Sequence, residues 1–248
     1  MKADSSAQQA LLQVQERDTR ITQLDHRAKN LPERADLAAA EERLERLRKE
    51  IVAAHTIVKD LEGEQRKADA DVELVRERSR KDRELLDSGT IGDPKQLQNL
   101  QHELESLARR QSELEDVELE IMERIEGAAK AVDVLTAEQE EVSAGRAELE
   151  SAIAAQMAVI DAERTTVVQE RGDVTAGLPS DLLALYEKVR ADHGGLGAAP
   201  LHRGRCEGCH LQLPPQELVD IAAAPADEVL RCEECRRILV RTPESGLS

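Results

Sequence analysis

Aromatic side chains are almost missing from this chain, which has no Phe, no Trp and a single tyrosine, Tyr186. Such side chains dominate most globular cores, so their near absence argues against a large compact core across the 248 residues. Long apolar runs are missing too. None approaches the ~20 residues that a membrane span needs, and Met1-Lys2-Ala3-Asp4-Ser5 is not followed by the apolar core of a signal peptide. Basic residues are in deficit: 34 Lys and Arg face 51 Asp and Glu, for a net charge of -17. That balance disfavours general nucleic-acid binding, which relies on Lys and Arg to displace counterions. It suits solubility and contact with basic protein surfaces.

What the chain does have is Ala, Leu, Glu, Arg and Gln, with 34% charged and 40% hydrophobic residues. This is the composition of long exposed helices and coiled coils, not of a disordered chain. A first helical pattern covers residues 5–29, with Leu11, Val14, Ile21 and Leu24 on one face, and Asn30-Leu31-Pro32 interrupts it. Heptads follow. One row takes Leu37, Leu44, Ile51, Val58, Gln65, Val72, Ser79 and Leu86; the row three residues on takes Ala40, Leu47, Ala54, Leu61, Ala68, Val75 and Asp82. A 3–4 repeat sustained this long marks a coiled coil. After residue 95 it resumes, with Leu97, Leu104, Gln111, Glu118, Ile125 and Val132 in one row and Leu100, Leu107, Leu114, Ile121, Ala128, Leu135, Val142 and Leu149 in the other. Glu118 is expected to drift outward, with Val117 taking its place on the seam.

Between the two arms lies Asp87-Ser88-Gly89-Thr90-Ile91-Gly92-Asp93-Pro94-Lys95. Its glycines permit a tight reversal, Asp93 suits an N-cap and Pro94 suits a first helical turn. These features favour an antiparallel hairpin over a break in one rod or a parallel dimer of rods. Beyond the second arm, Leu182 to Arg190 reads as a short helix in which Tyr186 packs. The glycines of residues 193–200 read as a linker or turn, too irregular for a phosphate loop.

All four cysteines fall in Cys206-Glu207-Gly208-Cys209 and Cys232-Glu233-Glu234-Cys235, with 22 residues between the pairs. Two Cys-x-x-Cys knuckles at this spacing point to one tetrahedral ion, zinc or less aptly iron, held by Cys206, Cys209, Cys232 and Cys235. Four thiolates leave no open position, so the site is structural rather than catalytic. A redox role would need a βαβ setting that neither pair has. Clustered thiols without a secretory leader point to a reducing, cytoplasmic compartment. The flanks suit a zinc ribbon: His210-Leu211-Gln212-Leu213 as a short strand, Pro214-Pro215 opening a turn or helix through Leu218 and Ile221, and Arg237-Ile238-Leu239-Val240 as a closing strand. The metal should supply much of this small module's folding energy.

Taken together, these motifs resemble a family of bacterial proteins with a long N-terminal coiled-coil hairpin and a C-terminal C4-type zinc ribbon. The resemblance is carried by Asp93-Pro94-Lys95 with Leu97 and Leu100, by Arg110-Gln111-Ser112-Glu113-Leu114-Glu115-Asp116, by Pro179, Leu182-Leu183 and Tyr186, and by the two knuckles with Leu213-Pro214-Pro215. Arg236 departs from the family, in which Gly usually follows the last cysteine, and Val240 replaces a usual aromatic. The expected architecture is mainly α: a coiled-coil hairpin over residues 5–176 with its tip at 87–95, a linking helix and linker over 177–199, and a small β zinc ribbon over 200–243. The resemblance implies an adaptor or regulatory protein.

The expected function is therefore that of a non-enzymatic zinc-binding adaptor, carrying one structural Zn2+ and meeting protein partners through the arm and the ribbon. The alternative is a nucleic-acid-binding or RNA-polymerase-binding transcription regulator. For nucleic acid, Arg203, Arg205, Arg231, Arg236, Arg237 and Arg241 would have to cluster against the eight acidic residues that follow position 196. For a polymerase, Asp87 and Asp93 would act at the tip, by analogy with acidic coiled-coil fingers. No Ser/His/Asp or paired-carboxylate arrangement suggests an enzyme.

Overall fold

A computed structural model describes residues 1–247. Its contacts divide the chain into two units, Ala35–Glu150 and a second unit that joins Met1–Arg34 to the residues from Ser151 onward.

The first unit is built from the greater part of two helices, α2 (Glu33–Asp87) and α3 (Pro94–Ala176), the latter continuing into the second unit after Glu150. Every seam position of α2 named above is buried or half-buried, from Leu37 to Leu86, and those of α3 follow suit from Leu100 to Leu149. Leu44, Leu47, Leu61, Ala68 and Val72 of α2 and Leu114, Ile121 and Val132 of α3 are the most enclosed apolar residues. Ion pairs across the seam fix the direction of the helices. Arg43 pairs with Glu138, Glu64 with Arg124 and Arg76 with Glu115, so numbers rise on one helix as they fall on the other. The helices are antiparallel within one chain, as a hairpin requires. At the tip, Gly89 has a φ of 65°, and the Lys95 N–H donates to Asp93 Oδ1 at 2.9 Å, the N-cap expected before Pro94. One seam detail differs from expectation. Glu118 stays half-buried on the seam, while Val117 is 46% exposed. The heptad holds its phase here, and a glutamate can lay its methylenes on the seam with its carboxylate at the edge.

In the second unit, α1 (Ser5–Lys29) runs beside the C-terminal end of α3, and Leu24, Leu31 and Ile160 form a small core there. Arg20–Glu163 and Asp25–Arg164 pair along the edges. Helix α4 (Ser180–Asp192) then lays Leu182, Tyr186 and Val189 inward. Leu11 and Val14 of α1 join Leu182, Tyr186, Ala198, Ile238 and Val240 in one cluster, so helix and sheet share a core.

The sheet has four strands in the order β2-β1-β4-β3: β1 (Ala198–His202), β2 (Arg205–Cys206), β3 (Leu230–Arg231) and β4 (Ile238–Val240). Helix α5 (Pro215–Ala223) crosses between β2 and β3. Strand β1 begins inside the stretch read as linker, and it lies parallel to β4 with Pro200 opposite Val240. Glycines before it and a proline within it hid it, since proline cannot donate to a ladder. Conversely, residues 210–213 form no strand. His210 has a φ of 60° and ends the first knuckle, leaving one isolated bridge between Arg205 and Gln212. No helix among the described residues is long and apolar enough to cross a membrane.

Candidate metal centre

The two knuckles are made alike. The His210 N–H donates to the Cys206 carbonyl at 2.7 Å, and the Arg236 N–H donates to the Cys232 carbonyl at 2.8 Å. Each turn ends in a left-handed residue, His210 at φ 60° and Arg236 at φ 59°. Such backbone favours glycine, which accounts for the glycine usual at the position of Arg236. Gly208 is needed for a different reason. A Cβ there would come within 2.9 Å of Arg237 Cδ and 3.0 Å of Ala199 Cβ, so the first knuckle sits tight against β1 and the second.

This geometry brings Cys206, Cys209, Cys232 and Cys235 together, with all four sulfurs within 4.8 Å of one another. Cys206 Sγ lies 3.9 Å from Cys235 Sγ, and Cys209 Sγ lies 3.9 Å from Cys232 Sγ. A tetrahedron with metal–sulfur bonds of ~2.3 Å has edges of about 3.8 Å, so the four sulfurs are placed to hold one zinc. Cys206 and Cys232 are buried and their partners half-buried. Burial pushes the Cys206 and Cys232 thiols up, whereas at Cys235 burial is outweighed by hydrogen bonds to its sulfur from the Arg237 backbone and side chain. Around the sulfurs, Ala199, Leu201, Leu213, Ile221 and Leu239 pack as an apolar shell. Neither His202 nor His210 belongs to the sulfur cluster.

Comparison with known proteins agrees with this site and with the hairpin. A model of the CT398-like coiled coil hairpin domain matches residues 14–194, and a C4-type zinc ribbon domain matches residues 205–239. The chain belongs to the CT398-like coiled-coil hairpin family. Its ribbon is placed to bind one structural zinc ion through the four cysteines. Relatives include an uncharacterized protein of Mycobacterium tuberculosis, 39% identical over 244 residues that cover 97% of this chain and 98% of the relative. An uncharacterized Mycobacterium leprae protein is 31% identical over 92% of this chain and 94% of its own length. Among solved structures, one from Mycobacterium smegmatis is 34% identical, covers 97% of this chain and all of that one, and superposes with a TM-score of 0.84. CT398 from Chlamydia trachomatis shares the fold at 19% identity and a TM-score of 0.65, over 96% of this chain and 98% of its own.

A second polar cluster in this CT398-like chain went unforeseen. Asp18, 1% exposed, accepts from Arg171 Nε at 2.7 Å, from Tyr186 Oη at 2.7 Å and pairs with Arg190 at 3.2 Å. Arg171 also pairs with Glu187. Next to it, Gln15 Oε1 accepts the Gly197 N–H at 2.7 Å, and its amide donates to the Gly195 carbonyl at 2.9 Å. The cluster therefore fastens α1, α3, α4 and the approach to β1. The signal was present: Gln15 and Asp18 follow Leu11 and Val14 on the same helical face, where polar residues need buried partners.

Proposed function

We propose that this protein is a non-enzymatic, zinc-dependent adaptor of the cytoplasm, which meets protein partners through its coiled-coil arm and its ribbon. The observation that carries the reading is the surface of the arm. Off the seam, Leu74, Val134, Val52 and Leu119 stand 59–68% exposed on a charged two-helix stalk. Single exposed apolar side chains are common on protein surfaces, but on this charged stalk they supply apolar contact points that a partner can cover. The ribbon supports the same reading, because four thiolates around one ion leave no position for substrate or water.

Nucleic-acid binding is less well supported. Arg237 and Arg241 donate to backbone carbonyls of residues 193, 196, 221, 224 and 225, and Arg231 donates to the Arg236 carbonyl. These guanidinium groups are spent on holding the ribbon together rather than turned to phosphate.

Site-specific photo-crosslinking in native cells tests the adaptor reading on the full chain. A crosslinker placed at Leu74 or Val134 of the arm, and at Val219 of the ribbon, should yield discrete protein adducts. No protein adduct from any of these positions, or adducts only to nucleic acid, would count against it.

A further inference from the structure

Beside helix α5 and strand β3 lies a groove of about 460 Å³ lined by the acidic residues Glu217, Asp220, Glu228 and Glu233. Ile221 and Leu230 add apolar surface. One cation lines the groove, Arg231, and its Nε is already committed to the Arg236 carbonyl at 2.8 Å.

Glu217 sets this groove apart from ordinary acidic surface. It is 9% exposed. Its Oε1 accepts only a long hydrogen bond, 3.4 Å from the Glu233 N–H, and its Oε2 is covered by protein and has no partner. A buried carboxylate oxygen without a donor is costly, and folded chains rarely leave one so. Glu217 lines the groove, and the terminal torsion of a glutamate is soft, so its carboxylate is free to adjust to a donor that enters.

Building on the adaptor reading, we propose that this groove receives a lysine or arginine side chain from a basic segment of a partner protein. The cationic head supplies the N–H donors that Glu217 lacks, in charge-assisted bonds shared with Asp220, Glu228 and Glu233. Its methylene stem lies along Ile221 and Leu230, as such stems do on apolar surface. Strand β3 is the last strand of the sheet, and because Met1–Ala3 already pairs with residues 227–229 just before it, an incoming segment meets the edge at Leu230 and Arg231. A divalent ion suits the groove less. Hard cations need oxygens that converge, and among the described residues only the four cysteines gather tightly enough to hold an ion. Phosphate is repelled by four carboxylates.

The test uses full-length, zinc-loaded protein and a fluorescein-labelled oligo-arginine peptide followed by anisotropy at physiological salt. Glu217→Gln keeps the acceptor for Glu233 while removing the charge. The exposed pair Asp220→Asn and Glu228→Gln gives a second variant that leaves the buried position intact. Each should weaken peptide binding about tenfold, with zinc content and helicity unchanged. Removing the same charge from the arm, with Glu140→Gln and Glu141→Gln, should change affinity less than twofold. Unchanged binding in both groove variants overturns the proposal. So does an equal loss in the arm variant, which would mean general attraction to an acidic chain, and so does displacement of the peptide by equimolar calcium or magnesium. The adaptor reading stands or falls separately. Arm crosslinks without a peptide site overturn the groove alone, and a peptide site without crosslinks anywhere overturns the adaptor alone.

Discussion

Tyr186 donates its hydroxyl proton to Asp18 across 2.7 Å, and both side chains are shut off from water at 0% and 1% exposure. The two residues are 168 positions apart in the chain, so the bond records long-range folding. Removing the hydroxyl with Tyr186→Phe should cost about 1–2 kcal/mol, since Asp18 keeps its arginines. Asp18→Ala should cost more, roughly 3–5 kcal/mol, because Arg171 and Arg190 lose a buried counter-charge. Denaturant unfolding read by circular dichroism ranks the two; the reverse order would contradict this account.

The same pair predicts a response to alkali. Burial, the hydrogen bond to Asp18 and the Asp18 charge push the Tyr186 hydroxyl up, so the folded chain keeps its proton where the unfolded chain loses it. The sign follows. This stabilisation is complete below the unfolded tyrosine value near 10 and declines as pH rises above it. Wild type should therefore lose stability between about pH 10 and 12 more steeply than Tyr186→Phe, a difference visible in paired denaturation curves.

Arg236 occupies a left-handed turn, φ 59°, and it serves its neighbours through its backbone alone, with its N–H on the Cys232 carbonyl and its carbonyl on Arg231. Arg236→Gly keeps that carbonyl and relieves the strain, so it should stabilise the ribbon by about 0.5–1 kcal/mol. A slower loss of zinc to a chelator is the convenient measurement. Faster loss would show that the guanidinium has a structural role.

Metal removal should divide the molecule's behaviour. Protein prepared without chelator should hold about one zinc per chain, and Cys232→Ser should lose it along with the ribbon's tertiary order. Helicity should fall little, because the apolar seam of Ala35–Glu150 contains no ribbon residue. Elemental analysis and far-ultraviolet circular dichroism on the same samples would expose a global collapse.

Within the arm, Leu47→Ala should cost about 2–4 kcal/mol at a fully buried seam position, whereas Val52→Ala should change stability by less than about 0.5 kcal/mol. Leu47 is 0% and Val52 66% exposed. Equal effects at the two positions would mean that the heptad register assigned to α2 is wrong.

The parts of this chain that repeat were legible in its sequence, and the parts held by single long-range contacts were not. Heptads placed α2 and α3 because each turn restates the same requirement, and the paired Cys-x-x-Cys spacing gave the ligands because metal geometry constrains it. Strand β1 was hidden by Gly197 and Pro200, whose local preferences oppose a strand; its pairing with β4, 40 residues away from Ala198 to Ile238, overrides them. The 210–213 strand failed for the opposite reason: alternating residues suggested it, but the turn of the knuckle had already claimed His210. At Val117 and Glu118, hydrophobicity pointed one way and helical phase the other, and phase prevailed.

Helix α1 has its lasting neighbours at the other end of the chain, since Gln15 grips the backbone at Gly197, 182 residues on. On a ribosome adding about 5–20 residues per second, α1 emerges roughly 10–40 s before that backbone does. Leu11 and Val14, buried in the finished protein, are then apolar residues on a nascent helix with nothing of their own chain to cover them. That face of α1 thus stays uncovered for the whole time the arm is being made, and the interval closes as α4 and then the strands of the ribbon emerge.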